Sequence, residues 1–121
     1  MASDQEIPDY NQMHVKWAIA YVNVKKAKVL VVGCNVGGDC RNMVEQGARE
    51  VWGVDVVDEI GRDFSHPKVH YLQTSVEAMD IPKNSFDLVF SFATMEHVPN
   101  INKGFSEMAR VTRPGGFIYS V

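Results

Sequence analysis

Two apolar runs in this chain each end in residues suited to holding a nucleotide. Lys28-Val29-Leu30-Val31-Val32 runs into Gly33-Cys34-Asn35-Val36-Gly37-Gly38-Asp39, and Val51-Trp52-Gly53-Val54 ends in Asp55. A glycine after a strand permits a tight turn, and further glycines let backbone approach a ligand without a Cβ in the way. The N–H groups that open a following helix favour an anionic group. An acid about 20 residues beyond the first glycine is placed to meet a nucleotide ribose, where it can accept from both hydroxyls. Asp55 stands close to that spacing. Together these residues name a ligand class, an adenosine-containing cofactor. A plainer reading of Asp55 is a loop or capping acid, since Asp58 and Glu59 follow it.

The same glycines could serve only a strand-to-helix turn. A P-loop is ruled out because Asp39-Cys40 stands where Lys and Ser or Thr are required. A dinucleotide fingerprint fits in part, with Asn35 in the place of the second glycine; Asn tolerates left-handed backbone better than most residues. His97 has Glu96 beside it, but sequence neighbours do not share a helix face, so a Glu-His dyad is not implied. A structural or pocket-lining histidine is the simpler assignment. His14, His66 and His70 show no ligand spacing, and no metal site is expected. Cys34 and Cys40 are the chain's two cysteines. They are too few for a disulfide framework or a zinc site and read as reduced thiols of a cytoplasmic protein.

The elements that must position these residues follow from the apolar pattern. Asn11 to Val24 reads as a helix on a sheet, with Met13, Trp17, Ala20 and Tyr21 recurring on its apolar side. Val29–Val32 is a continuous β-branched and leucine run, as in a buried parallel strand. Gly38-Asp39 opens a helix that carries Met43 and Val44 and closes at Gly47. Strands follow at 51–54, 69–72, 86–91 and 117–121. A weak helix or turn is expected over 58–64. A helix spans 101–112, with Phe105, Met108 and Ala109 on one side, and Arg113-Pro114-Gly115-Gly116 ends it. Of Phe90 and Phe92, one is expected to face the ligand and the other the core. Alternating strands and helices call for a parallel sheet that binds ligands at the carboxyl ends of its strands. Gly33, Asp55 and Ser91 all fall at such ends.

With 121 residues and 45% hydrophobic content, the chain suits one domain with a real core. The whole of 1–121 reads as that domain: a frayed 1–10, a helix over 11–24 and a binding core over 28–121. A net charge of −3 and no long basic cluster argue against nucleic acid as the partner. No apolar run is long enough to span a membrane. The polar, acidic start is unlike a signal peptide.

Two further blocks are more specific. Asn84-Ser85-Phe86-Asp87-Leu88-Val89-Phe90-Ser91 precedes Glu96-His97-Val98-Pro99, and Glu107 to Gly116 contains Arg110-Val111-Thr112-Arg113-Pro114-Gly115-Gly116. With the glycine turn, they resemble the class I S-adenosylmethionine-dependent methyltransferases, in particular the branch that includes ubiquinone and menaquinone biosynthesis enzymes. The resemblance covers roughly residues 28–121. It implies a Rossmann-like, doubly wound parallel sheet of five strands in the order 3-2-1-4-5. It implies S-adenosylmethionine as cofactor and methyl transfer to a small-molecule acceptor. It sets Gly33, Cys34, Asn35 and Gly37 beside the methionine part of the cofactor and Asp55, followed by Val56, at the ribose. Ser75, Val76 and Glu77 flank adenine, Ser91 and Phe92 lie near the sulfonium and the substrate, and His97 lies on the substrate side.

The departures matter as well. Val31 stands where the family usually carries an acid that could meet the cofactor's ammonium. Asn35 replaces a glycine, and Ser75 stands where an Asp often meets adenine. The family's last two strands, beyond the fifth, are absent from these 121 residues. A non-catalytic binding or scaffold module is the alternative that these departures favour. A nicotinamide-dependent oxidoreductase is a third reading, disfavoured by Asn35. An apolar last strand at 117–121, open along its outer edge, predicts a homodimer through that edge.

Overall fold

The computed structural model describes residues 9–121. The fraying expected over 1–10 therefore lies, but for its last two residues, outside the described residues. Five strands form one parallel sheet: β1 (Lys28–Val32), β2 (Glu50–Asp55), β3 (Val69–Gln73), β4 (Phe86–Ser91) and β5 (Thr112–Ser120). Their order is β3-β2-β1-β4-β5, as expected. The most apolar run sits at the centre. β1 pairs with β2 (Leu30 with Trp52) on one side and with β4 (Leu30 with Val89) on the other.

Side chains alternate across the sheet, so each strand feeds two cores. Val29, Val31, Val51, Leu88 and Phe90 pack beneath α1 (Tyr10–Ile19) and α2 (Gly38–Glu45), against Val15, Ala18, Cys40 and Met43. Leu30, Val32, Val54, Phe86 and Val89 pack on the other face against Met108 and Val111 of α3 (Ile101–Val111).

Several local expectations need correction. The helix α1 ends at Ile19, and its buried residues are Val15 and Ala18. Trp17 and Tyr21 are exposed, and Tyr21 lies beyond the end of the helix. Over 58–63 the chain forms turns, one of the two forms expected there. On α3 the buried line is Gly104, Met108 and Val111, a spacing of four and three, while Phe105 and Ala109 face outward. Phe90 and Phe92 lie on the same side of the sheet, Phe90 in the core and Phe92 just past the end of β4. Phe90 stacks on Tyr119, and Phe92 lies against His14. The Arg113–Gly116 stretch does not precede β5; it is a bulge within it, since Phe86 pairs with Thr112 and Leu88 already with Phe117.

Helix ends behave as their sequences dictate. Asp9 accepts from the N–H of Gln12 and caps α1. Gly47, at φ +98°, closes α2: its N–H donates to Val44 O and that of Ala48 to Met43 O. That pair of bonds needs a left-handed residue, which glycine supplies.

The polar residues of the two specific blocks act as braces. Asp87 accepts from the backbone N–H of Lys28 at 2.7 Å and from the Arg113 side chain, tying β4 to β1 and to the bulge. Glu107 accepts from Met79 N at 2.8 Å, and Arg110 donates to Met79 O and Ile81 O. Helix α3 thus grips the loop that leads into β4.

Candidate functional site

The carboxyl ends of β1, β2 and β4 converge, and the backbone links them. Past β1 the chain turns at Gly33, φ +76°. The N–H groups of Gly33 and Cys34 both reach Val54 O, at 2.9 and 3.2 Å. Asn35 takes the left-handed conformation, φ 48°, and donates its N–H to Asp55 Oδ2 at 2.8 Å. Asp55 Oδ1 accepts from Val56 N at 2.7 Å. The segment after β2 folds back onto the same loop, with Gly61 N on Asn35 O and Asp63 N on Val36 O, both at 2.9 Å. A carboxylate has about four acceptor sites. Two of those on Asp55 are taken by backbone and the others remain for a ligand.

Two clefts meet at Asp55. The larger, about 800 Å³, lies over the Gly33–Asn35 loop and the start of α2. The smaller, about 170 Å³, is walled by Val32, Val54, Val56, Val76, Val98 and Pro99. Gly33, Asp55, Thr94 and His97 border both. Asp55 is thus aimed at the junction between an apolar slot and a polar trough.

Most of the residues singled out in the sequence fall here. Cys34, Asn35 and Phe92 line the larger cleft, and Val56, Ser75, Val76 and Glu77 the smaller. Ser75 Oγ accepts from Glu77 N at 3.1 Å, which fixes that loop and leaves the hydroxyl hydrogen free to donate. His97 is exposed in a short 3-10 turn, Met95–His97. Gly37 and Ser91 line neither cleft. A Cβ on Gly37 would lie 2.7 Å from Tyr71 Oη and 3.0 Å from Phe64 Cβ, so that glycine admits the protein's own side chains. Ser91 is fully buried and shares a 2.8 Å hydrogen bond with Ser120 of β5.

Other residues were not foreseen. Thr94 packs directly over Gly33: a Cβ there would meet Thr94 Oγ1 at 2.1 Å. Thr94 Oγ1 donates to Phe92 O at 3.1 Å. Beside it, Ala93 is held at φ 54°, a strained position for a residue with a side chain. Asp39 and Asn11 join the wall of the larger cleft, with Asp9, Gln12 and Glu45. Arg41 lines it too, but its guanidinium lies over the Phe64 ring and donates to Asp63 O. The charged residues of the lining are therefore mostly acidic. Burial pushes the Asp39 carboxyl above the usual range, against the opposing effect of the Asn11 and Asn42 amides. The neighbouring Cys34 thiol, and then burial, push the Cys40 thiol up, so it stays protonated. Among the described residues, no group of side chains is arranged to hold a metal ion.

Residues 30–120 match the methyltransferase domain family. This chain belongs to the class I S-adenosylmethionine-dependent methyltransferases. It is 34% identical over 97 residues to the sterol 24-C-methyltransferase ERG6B of Gibberella zeae, covering 74% of this chain and 26% of that protein. It is 32% identical over 119 residues to the ubiquinone biosynthesis O-methyltransferase of Pseudomonas fluorescens, covering 92% and 50%. The chain thus spans half or less of the length of these curated relatives. An S-adenosylmethionine-dependent methyltransferase from Mesorhizobium loti has the same fold, with a TM-score of 0.74 and 23% identity over 87% of this chain and 52% of that one. The fold, with its strand order 3-2-1-4-5, is that of the family. Among the described residues, no helix is long and apolar enough to cross a membrane.

Proposed function

We propose that this chain, working as a single domain, binds S-adenosylmethionine across the two clefts and presents it to a small-molecule acceptor. The observation that carries this reading is the position of Asp55, at the border of an apolar slot and a polar trough, with acceptor capacity left over. An adenosine cofactor has that polarity order: a flat base, a diol, then a charged tail. The valine-walled slot suits the base, with Ser75 and Glu77 at its edge. The ribose hydroxyls suit Asp55. The tail suits the trough over Gly33, Cys34 and Asn35, with Phe92 closing one side.

A bound S-adenosylmethionine supplies a methyl group on a sulfonium, already activated for in-line displacement by a nucleophile. The protein's share is then orientation and exclusion of water. The lack of a Ser-His-Asp arrangement or a metal cluster among the described residues is no obstacle to it. His97, exposed at the border of both clefts, lies on the side from which an acceptor would approach. The relatives named for sterol and ubiquinone methylation support an apolar small molecule in that role. Two buried free thiols suit a reducing compartment such as the cytoplasm. Phe117 and Ile118 are about two-fifths exposed on the outer strand, which supports pairing with a second copy along β5.

Calorimetric titration with S-adenosylhomocysteine and with NAD tests the cofactor assignment. Binding of the first and not the second is expected. Tighter binding of NAD would overturn it in favour of hydride chemistry.

A further inference from the structure

Among the described residues, one carboxylate in the larger cleft is buried without a cation. Asp39 is 9% exposed, and among the described residues no other charged side chain is buried to this degree. Its Oδ1 and Oδ2 accept from Asn11 Nδ2 at 3.0 and 3.2 Å, and Asn42 Nδ2 stands 3.5 Å from Oδ1. Both donors are neutral amides. Among the described residues no Lys, Arg or His is paired with it, and residues 1–8 contain none of these side chains. Arg41, two positions on, is committed to Phe64 and Asp63. The first turn of α2 supplies partial positive charge, while Asp9 nearby acts in the opposite sense. Buried carboxylates are ordinarily matched by a cation, because desolvation without one is costly. Among the described residues no cation meets Asp39, and it borders a cleft open to ligand.

Val31 gives the other half of the argument. It is fully buried in the core beneath α1 and α2 and carries no charge, so it offers a ligand no anion. The trough therefore needs another anion if it is to hold a cationic tail. We infer that Asp39, steadied by Asn11 of α1 and Asn42 of α2, receives the α-ammonium of the cofactor's amino-acid end. The assignment rests on the cofactor reading above. It makes helix α1 part of the binding site, because Asn11 orients the carboxylate from a different element.

The test uses two ligands that share the adenosine and the thioether. S-adenosylhomocysteine carries the amino-acid tail and 5′-methylthioadenosine does not; neither carries a sulfonium. Each is titrated into the full chain and into Asp39→Asn. The asparagine keeps the size and most of the hydrogen bonding but removes the charge. S-adenosylhomocysteine should bind the variant about tenfold or more weakly, and methylthioadenosine should bind within about twofold of its original affinity. Equal losses for both ligands, or no loss for either, would overturn the assignment, since a purely structural residue leaves the ratio unchanged. If the variant does not fold, the unaltered chain still decides. It should prefer S-adenosylhomocysteine over its deaminated analogue by a similar factor, and equal affinity would overturn the ammonium site. Failure of the unaltered chain to bind any of these adenosine compounds would overturn the cofactor reading itself, and this assignment with it.

Discussion

The carboxylate of Asp55 accepts the backbone N–H of Asn35 at 2.8 Å, so the acid that ends β2 and the turn that ends β1 form one hydrogen-bonded unit. The left-handed Asn35 aims its N–H at the carboxylate, and Asp55 takes the Val56 N–H with its other oxygen. The geometry of the ligand-facing loop thus depends on the same group that is placed to meet the ribose.

Asp55→Ala should therefore do two things. Cofactor affinity should fall about a hundredfold or more, since two charge-assisted hydrogen bonds are lost. Stability should drop by about 1–2 kcal/mol, as two backbone N–H groups lose an acceptor at a partly exposed site. Titration with S-adenosylhomocysteine and a urea melt read the two effects. An unfolded variant would mean that the residue is chiefly structural.

Gly33 and Thr94 make a second coupled pair. Gly33→Ala places a methyl 2.1 Å from Thr94 Oγ1 in a residue already at φ +76°. A loss of about 2–4 kcal/mol is expected from the clash and the backbone strain together. Thr94→Ala should rescue it only in part, because Thr94 Cβ itself lies 2.8 Å from the new methyl. A double-mutant cycle in urea measures the coupling; strict additivity would show that the two residues do not meet.

Acid stability should depend on Glu107. The Arg110 guanidinium, and behind it the Met79 N–H, hold its carboxyl below the usual glutamate range despite partial burial. Its folded-state pKa is depressed, so its contribution is present above the ordinary glutamate value and is lost as pH falls from there through the lower folded value. Asp39 has the opposite sign. Its raised folded pKa means that stability is lost as pH rises from the ordinary aspartate value through the folded one. Thermal melts from pH 2 to 7 should show Glu107→Gln with a shallower acid decline than the unaltered chain. Asp39→Asn should melt no lower than the unaltered chain at pH 7. A Glu107→Gln profile parallel to the original would show that the brace carries no linkage.

The strands, the turn at Gly33 and the acid at Asp55 were legible because each rests on local signals, while the strand order came with the family resemblance. Runs of valine and leucine mark buried strands, a glycine marks a left-handed turn, and a polar residue after such a run marks a carboxyl end. What was not legible depends on neighbours far away in sequence. Which side of α1 is buried was set by how Val15 and Ala18 meet β1 and β4, and the chain's own spacing favoured Trp17 and Tyr21. Gly37 looked like a ligand-facing glycine, but the room it leaves is taken by Tyr71 and Phe64. Ser91 is drawn away from the cleft by Ser120. Asp39 entered the sequence reading only as a helix opener and a bar to a P-loop; that its partners are amides became visible once Asn11 stood beside it.

The outer strand makes a prediction of its own. β5 pairs with β4 alone, and the Tyr21 ring covers part of Phe117, with ring centroids 5.5 Å apart. Ile118, about two-fifths exposed, is left without such a cover. Light scattering over a range of concentrations should give a dimer that Ile118→Lys shifts to monomer. A strict monomer with slow amide exchange over 116–121 would show that the edge is protected within the chain.

The central claim is that the cofactor lies across the two clefts that meet at Asp55. It is tested most directly by amide chemical shifts as S-adenosylhomocysteine is added to labelled chain. The account predicts the largest changes at Gly33, Asn35, Val56, Val76 and Phe92, with β5 and the outer face of α3 undisturbed. Saturating shifts confined to the groove between Tyr21 and Phe117, or no shifts at millimolar ligand, would contradict it.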